Sequence, residues 1–141
     1  MENNEIEIFG SGNQRINKKV SRGLFMSANT KYSNLLMTHD LATKLFGSDV
    51  QEGRINIIHS KIENNWYIAS TNGSLFDNGF QCLPSDASKV SSYRINGAMA
   101  IIKKMIKSLT GEDKETRYVI TVSENAIEYD GMKLYKLTIK K

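Results

Sequence analysis

The stretch that most constrains this chain is residues 89–111, Lys-Val-Ser-Ser-Tyr-Arg-Ile-Asn-Gly-Ala-Met-Ala-Ile-Ile-Lys-Lys-Met-Ile-Lys-Ser-Leu-Thr-Gly. Inside it, Met99, Ile102, Met105, Ile106 and Leu109 recur at three- and four-residue spacing. That period predicts an amphipathic helix over 97–109. Asn96 reads as its N-cap and Gly111 as its stop. A second, narrower apolar face, Leu41, Ala42, Leu45 and Phe46, predicts a helix begun by Thr38-His39-Asp40 and ended by Gly47.

Most of the remaining apolar residues alternate, which is the strand period. Strands are predicted at Glu5–Phe9, around Arg15–Met26, at Leu35–Met37, Arg54–Ile58, Trp66–Ala69, Phe80–Leu83, Lys89–Ile95, Arg117–Ser123 and Met132–Ile139. Ser27–Thr30 reads as a loop. Asp130-Gly131 between alternating runs is the clearest hairpin signal, and Glu63-Asn64-Asn65 marks another.

The order of elements suggests a repeat. Lys19-Val20-Ser21 and Lys89-Val90-Ser91 each precede a helix ending in glycine, an acidic link, an arginine-led strand (Arg54-Ile55 and Arg117-Tyr118) and a hairpin. Identity between the halves is low, so coincidence stays open as the other reading. The expected fold is α+β: a twisted, mostly antiparallel sheet with two main helices on one face. A duplicated strand–helix–hairpin unit would give it pseudo-two-fold symmetry. The expected organisation is one compact domain over 1–141, with half-repeats at 5–79 and 80–141.

Composition narrows function mainly by exclusion. There is no run of about 18 apolar residues, so no membrane span is expected. Residues 1–30 lack the apolar core of a signal peptide. The single cysteine, Cys82, has no disulfide partner within the chain. These features predict a cytoplasmic protein.

His39 and His59 are the only histidines, and with one cysteine they do not make a zinc set. Cys82 reads as a buried structural thiol rather than a nucleophile. Gly10-Ser11-Gly12-Asn13 lacks the Gly-Lys-Ser/Thr ending of a phosphate loop and reads as a turn. No catalytic residue, metal or cofactor is expected, and the protein is expected not to be an enzyme.

The net charge of +4 is modest, but its distribution is not even. Residues 8–39 hold Arg15, Lys18, Lys19, Arg22 and Lys31 without an acid, and residues 87–111 hold Lys89, Arg94, Lys103, Lys104 and Lys107 without one. Such blocks suit phosphate contacts that do not read sequence. Tyr32, Trp66, Tyr67 and Tyr93 are candidate stacking platforms for unpaired bases. The leading expectation is a small DNA- or RNA-binding protein. Its contact set is Arg15, Lys18, Lys19, Arg22, Lys89, Arg94, Lys103, Lys104 and Lys107. The alternative is a structural or assembly protein that binds another protein or itself, of viral or mobile-element type.

Overall fold

The computed structural model describes residues 23–47, 53–71, 79–84, 92–129 and 131–140. The chain runs β1 (Phe25–Asn29), β2 (Asn34–Thr38), α1 (His39–Phe46), β3 (Gly53–Ser60), β4 (Asn65–Ser70), β5 (Phe80–Pro84), β6 (Ser92–Ile95), α2 (Met99–Thr110), β7 (Arg117–Tyr129) and β8 (Met132–Ile139). The strands pair in the order β1-β2-β6-β5-β3-β4-β8-β7, and β7 returns to β1 to close a barrel. Every pairing is antiparallel.

The barrel overturns the expected open α+β sheet. Alternation shows that one face of each strand is buried, but not whether the outermost strands meet each other. Here they do, through Met26 opposite Ile120 and Ala28 opposite Tyr118. Inward residues of successive strands then fill a single interior: Met26, Met37, Ile55, Trp66, Ile68, Cys82, Tyr93, Ile120 and Leu137 are among them. An eight-stranded barrel is just wide enough for its own side chains to fill it.

The helices do not cover a sheet face either; they close the ends. Leu41, Ala42 and Leu45 of α1 and Ile102, Met105 and Ile106 of α2 join the same core. Ser108 of α2 donates to Asn64, just before β4 begins, whereas Leu45 of α1 shares a crevice with Ser70, where β4 finishes. The two helices therefore sit at opposite ends of the barrel. Gly53 makes room for this plugging: a Cβ there would lie 2.5 Å from the tip of the Phe46 ring, which would have to shift.

The expected strand–helix–hairpin unit is also replaced. Each helix lies between two hairpins, β1–β2 and β3–β4 around α1, β5–β6 and β7–β8 around α2. The ring reads the same when β1–β4 are exchanged in order with β5–β8. That is a property of strand pairing, and it belongs to a barrel with helices at its two ends, not to a sheet with both helices on one face.

Local chemistry explains most element ends. Thr38 caps α1: its Oγ1 accepts from the Leu41 N–H at 3.2 Å and its hydroxyl donates to the Gly23 carbonyl at 2.8 Å. Asn96 does not cap α2. Its N–H donates to Gln81 O across the sheet, and Ala98 takes the cap position without a side-chain bond. Gly97 makes the intervening turn with φ +81°. Gly111 ends α2 in the left-handed region, as its sequence position predicts. Ser27–Asn29, expected as loop, belong to β1. Their weak strand propensity is overridden by neighbours on both sides, and Ala28 is enclosed opposite Leu35. The strand predicted at Glu5–Phe9, the turn at Gly10–Asn13 and the segment from Arg15 to Arg22 lie outside the described residues.

Candidate nucleic-acid interface

Because side chains alternate along each strand, the residues between those in the core form the outer wall. Pairing lines them up in rows across the strands. One row runs Val119, Ser27, Leu36, Arg94 and Leu83, crossing β7, β1, β2, β6 and β5. The next begins Arg117, Asn29 and Asn34. Beyond β6 on that side, Asn96 bonds to Gln81 and Arg54 stands opposite Gln81. On the other side of the first row, Phe25 is opposite Thr121 and Thr38 is opposite Ser92.

Phe25, Ser27, Leu36, Thr38, Ser92 and Arg117 line a shallow crevice of about 270 Å³ on this wall. Arg117 Nε donates to Ser27 Oγ at 2.7 Å, which lays the guanidinium across the row beside Leu36. Arg54 donates to the Gly79 carbonyl at 3.0 Å. The described strands β1, β2, β3, β5 and β6, with residues 117–121 of β7, contain Arg54, Arg94 and Arg117 and no Asp or Glu. The acids lie elsewhere. Asp40 accepts from the Gly23 N–H at the start of α1, and Glu63 is in the β3–β4 turn. Glu112, Asp113 and Glu115 are in the link before β7, and Glu124 and Glu128 lie on its far half. These strands are six of the eight around the barrel, so Arg54 lies two strands beyond Arg94, while Arg94 and Arg117 flank the wall of β7, β1, β2 and β6, with amide, hydroxyl and half-buried apolar groups between them.

Of the residues nominated from sequence, Arg94 stands on this wall. Lys103, Lys104 and Lys107 are exposed on α2, at one end of the barrel. Lys103 shares a crevice of about 230 Å³ with Glu112, Asp113 and Glu115. Its block is acid-free along the chain but meets acids in space. Arg15, Lys18, Lys19, Arg22 and Lys89 lie outside the described residues. Arg54 and Arg117 were not nominated, although each leads a strand. Their sequence neighbours alternate plainly enough to put them opposite the core, but only cross-strand pairing puts Arg117 on one wall with Arg94 and Arg54 farther round the barrel.

The aromatic candidates divide sharply. Trp66 (1% exposed) and Tyr93 (3%) belong to the core, and Tyr67 is buried against Ala69, Met132 and Leu134. These three cannot serve as stacking platforms. Tyr32, 71% exposed in the β1–β2 turn, remains open, with Lys31 Nζ 5.4 Å from its ring centre. Phe25 is the aromatic that the sequence reading passed over. His59 stacks on Trp66 with ring centres 4.0 Å apart, and its Nε2 pairs with Asn64 Oδ1 at 2.9 Å. That histidine joins the β3–β4 turn to the core and, through Ser108, to α2.

Cys82 is buried inside the barrel, as expected of a structural thiol. Burial pushes its pKa from 9.0 up to about 12, with the nearby Arg54 charge pulling weakly the other way. It is protonated and unreactive at neutral pH. Among the described residues no three His, Cys, Asp or Glu side chains converge to hold a metal. None of the described helices is long and apolar enough to cross a membrane. Comparison with protein-family models, curated proteins and solved structures gives no match.

Proposed function

We propose that the protein binds nucleic acid without acting on it chemically, and that an unpaired strand lies across the outer wall of β1, β2 and β6. The observation that supports this is the acid-free wall of β1, β2, β6 and residues 117–121 of β7, bearing Arg94 and Arg117. Guanidinium groups bind phosphate oxygens in a fork, and they stack on bases as well. A convex barrel wall offers no element to enter a duplex groove. It does offer a row on which a single strand can place its phosphates on arginines and its bases on Phe25 and Leu36. Stacking of that kind contributes about 1–3 kcal/mol per base and is indifferent to sequence. Asn29, Asn34, Asn96 and Gln81 add hydrogen-bonding groups at the next row.

The test is fluorescence anisotropy with labelled single- and double-stranded oligonucleotides across a salt series. Binding is expected to fall steeply with salt. Arg94→Ala and Arg117→Ala are each expected to flatten the log–log slope by about 0.7 for the single strand. Phe25→Ala should weaken single-strand binding and leave duplex binding nearly unchanged. Absence of binding at about 10 µM protein in low salt would refute the proposal, since even non-specific contacts reach that range. So would an unchanged salt slope in the Arg94→Ala, Arg117→Ala double variant.

A further inference from the structure

On β4 and β8, side chains that point away from the barrel interior are buried. Trp66 and Ile68 belong to the core, so Tyr67 and Ala69 point outward. Lys136, directly opposite Tyr67, shares that outer face with Leu134 and Met132 and is exposed. Yet Tyr67 is 9% exposed, Met132 6%, Leu134 4% and Ala69 1%. Asn56 Oδ1, on the residue opposite Ala69, is closed off from solvent as well. On the wall of β1, β2 and β6 the outward Ser27, Leu36 and Arg94 are all half-buried or exposed.

The face of a sheet does not bury itself. A buried side chain touches roughly 6–12 other residues, more than its neighbours within one sheet supply. Among the described apolar residues only Ile58, opposite Tyr67 on β3, packs against these four from outside their number. A further layer therefore lies on β4 and β8. It is narrow, because Ile127 and Tyr129, opposite Leu134 and Met132 on β7, stay exposed.

We propose that this layer is the chain's own segment 5–9, Glu-Ile-Glu-Ile-Phe, docked on the outer face of β4 and β8. Its alternation suits a narrow cover: Ile6 and Ile8 turn to the apolar face while Glu5 and Glu7 turn to water. It is within reach. Leu24 lies beside Val122, Val122 opposite Leu137, and Leu137 opposite Trp66. Three strand spacings, about 15 Å, thus separate the start of β1 from β4. The fourteen residues from Phe9 to Gly23 span up to about 45 Å when extended. The other stretches outside the described residues fit less well. Residues 48–52 and 85–91 each carry one large apolar side chain, Val50 and Val90. Residues 72–78 hold Leu75 and Phe76, but they run from Thr71 back to Gly79 beside it. Even fully doubled back, about 13 Å, they bring only their tip level with Tyr67.

Hydroxyl-radical footprinting of the intact chain, read by mass spectrometry at Tyr67 and Met132, tests it. In the wild type both are expected to react slowly, with Tyr32 and Tyr129 as exposed references. The Ile6→Lys, Ile8→Lys double variant should undock the segment. Its Tyr67 is then expected to react about sixfold faster, the ratio of the 59% exposure of Tyr129 to its own 9%. A Leu75→Lys, Phe76→Lys double variant should leave both residues protected. Protection that survives in the Ile6→Lys, Ile8→Lys chain overturns the proposal. So does protection lost in the Leu75→Lys, Phe76→Lys chain, which would assign the cover to 72–78, and so does protection that fades on dilution, which would assign it to another molecule. Circular dichroism checks that the variants fold. Should the first fail to fold, methyl NOEs in the labelled wild type decide: contacts from Ile6 or Ile8 to Leu134 or Met132 uphold the docking, and their absence overturns it.

Discussion

The closure of the barrel at the β1–β7 seam can be tested by coupling Met26 to Ile120. Both side chains are wholly buried, and they are direct cross-strand partners. Truncating either to alanine removes buried methylene and methyl groups and leaves a cavity that the interior cannot easily collapse into. Each single change is expected to cost about 2–5 kcal/mol. At about 2.1 cal/mol/K per residue of unfolding entropy, a 141-residue chain loses roughly 3 °C of Tm for each kcal/mol. A loss of about 3 kcal/mol would thus lower Tm by about 10 °C. The informative quantity is the double variant. Residues in contact deviate from additivity by about 0.5–3 kcal/mol, whereas distant ones add to within about 0.5 kcal/mol. Urea unfolding of wild type, Met26→Ala, Ile120→Ala and the double variant gives the cycle. Additive losses would refute the seam: β1 and β7 would then be the separate edges of an open sheet.

Two further perturbations probe single interactions. Thr38→Ala removes the cap of α1 and the hydroxyl bond to Gly23 together, and is expected to cost about 1–2 kcal/mol in urea unfolding; a neutral result would mean that the cap is not formed. Cys82 contributes a pH dependence of definite sign. Its thiol holds its proton up to about 12 in the folded chain but only up to about 9.0 when unfolded. The unfolded state therefore binds fewer protons above pH 9, so the stabilisation is complete below pH 9 and is lost as pH rises from there toward 12. Cys82→Ala should flatten the stability profile across that window, and the native thiol should resist a disulfide reagent until the protein is unfolded.

The candidate site shows why one kind of information was legible before the fold and another was not. The sequence identifies Arg54 and Arg117 as strand openers and Arg94 as a basic residue in an acid-free stretch, but nothing local relates the three. They lie 40 and 23 positions from one another along the chain. Arg117 and Arg94 share a wall because β7 pairs with β1, β1 with β2 and β2 with β6, whereas Arg54 follows farther round the barrel through β6 with β5 and β5 with β3. The lysines of α2 illustrate the opposite error. Spacing along a helix correctly makes Lys103, Lys104 and Lys107 solvent-facing, yet the chain brings Glu112, Asp113 and Glu115 back beside Lys103. Trp66, Tyr67 and Tyr93 show that an aromatic in a strand says little by itself: each is as suited to filling a barrel as to stacking on a base.

By itself, the sequence determined what is set within a few residues. The three- and four-residue spacing that makes α2 amphipathic, the Thr38 cap, the Gly111 stop and the hairpin at Asp130-Gly131 are all local, because backbone hydrogen bonding and steric allowance act over one turn. Tertiary structure alone decided that the sheet closes, that the helices plug its ends, that Ser27–Asn29 are strand and not loop, and that Arg94 and Arg117 share a wall. Those outcomes depend on which edges meet and in what register. Both are fixed by how side chains from eight strands fill one interior, a condition that no short window of sequence contains.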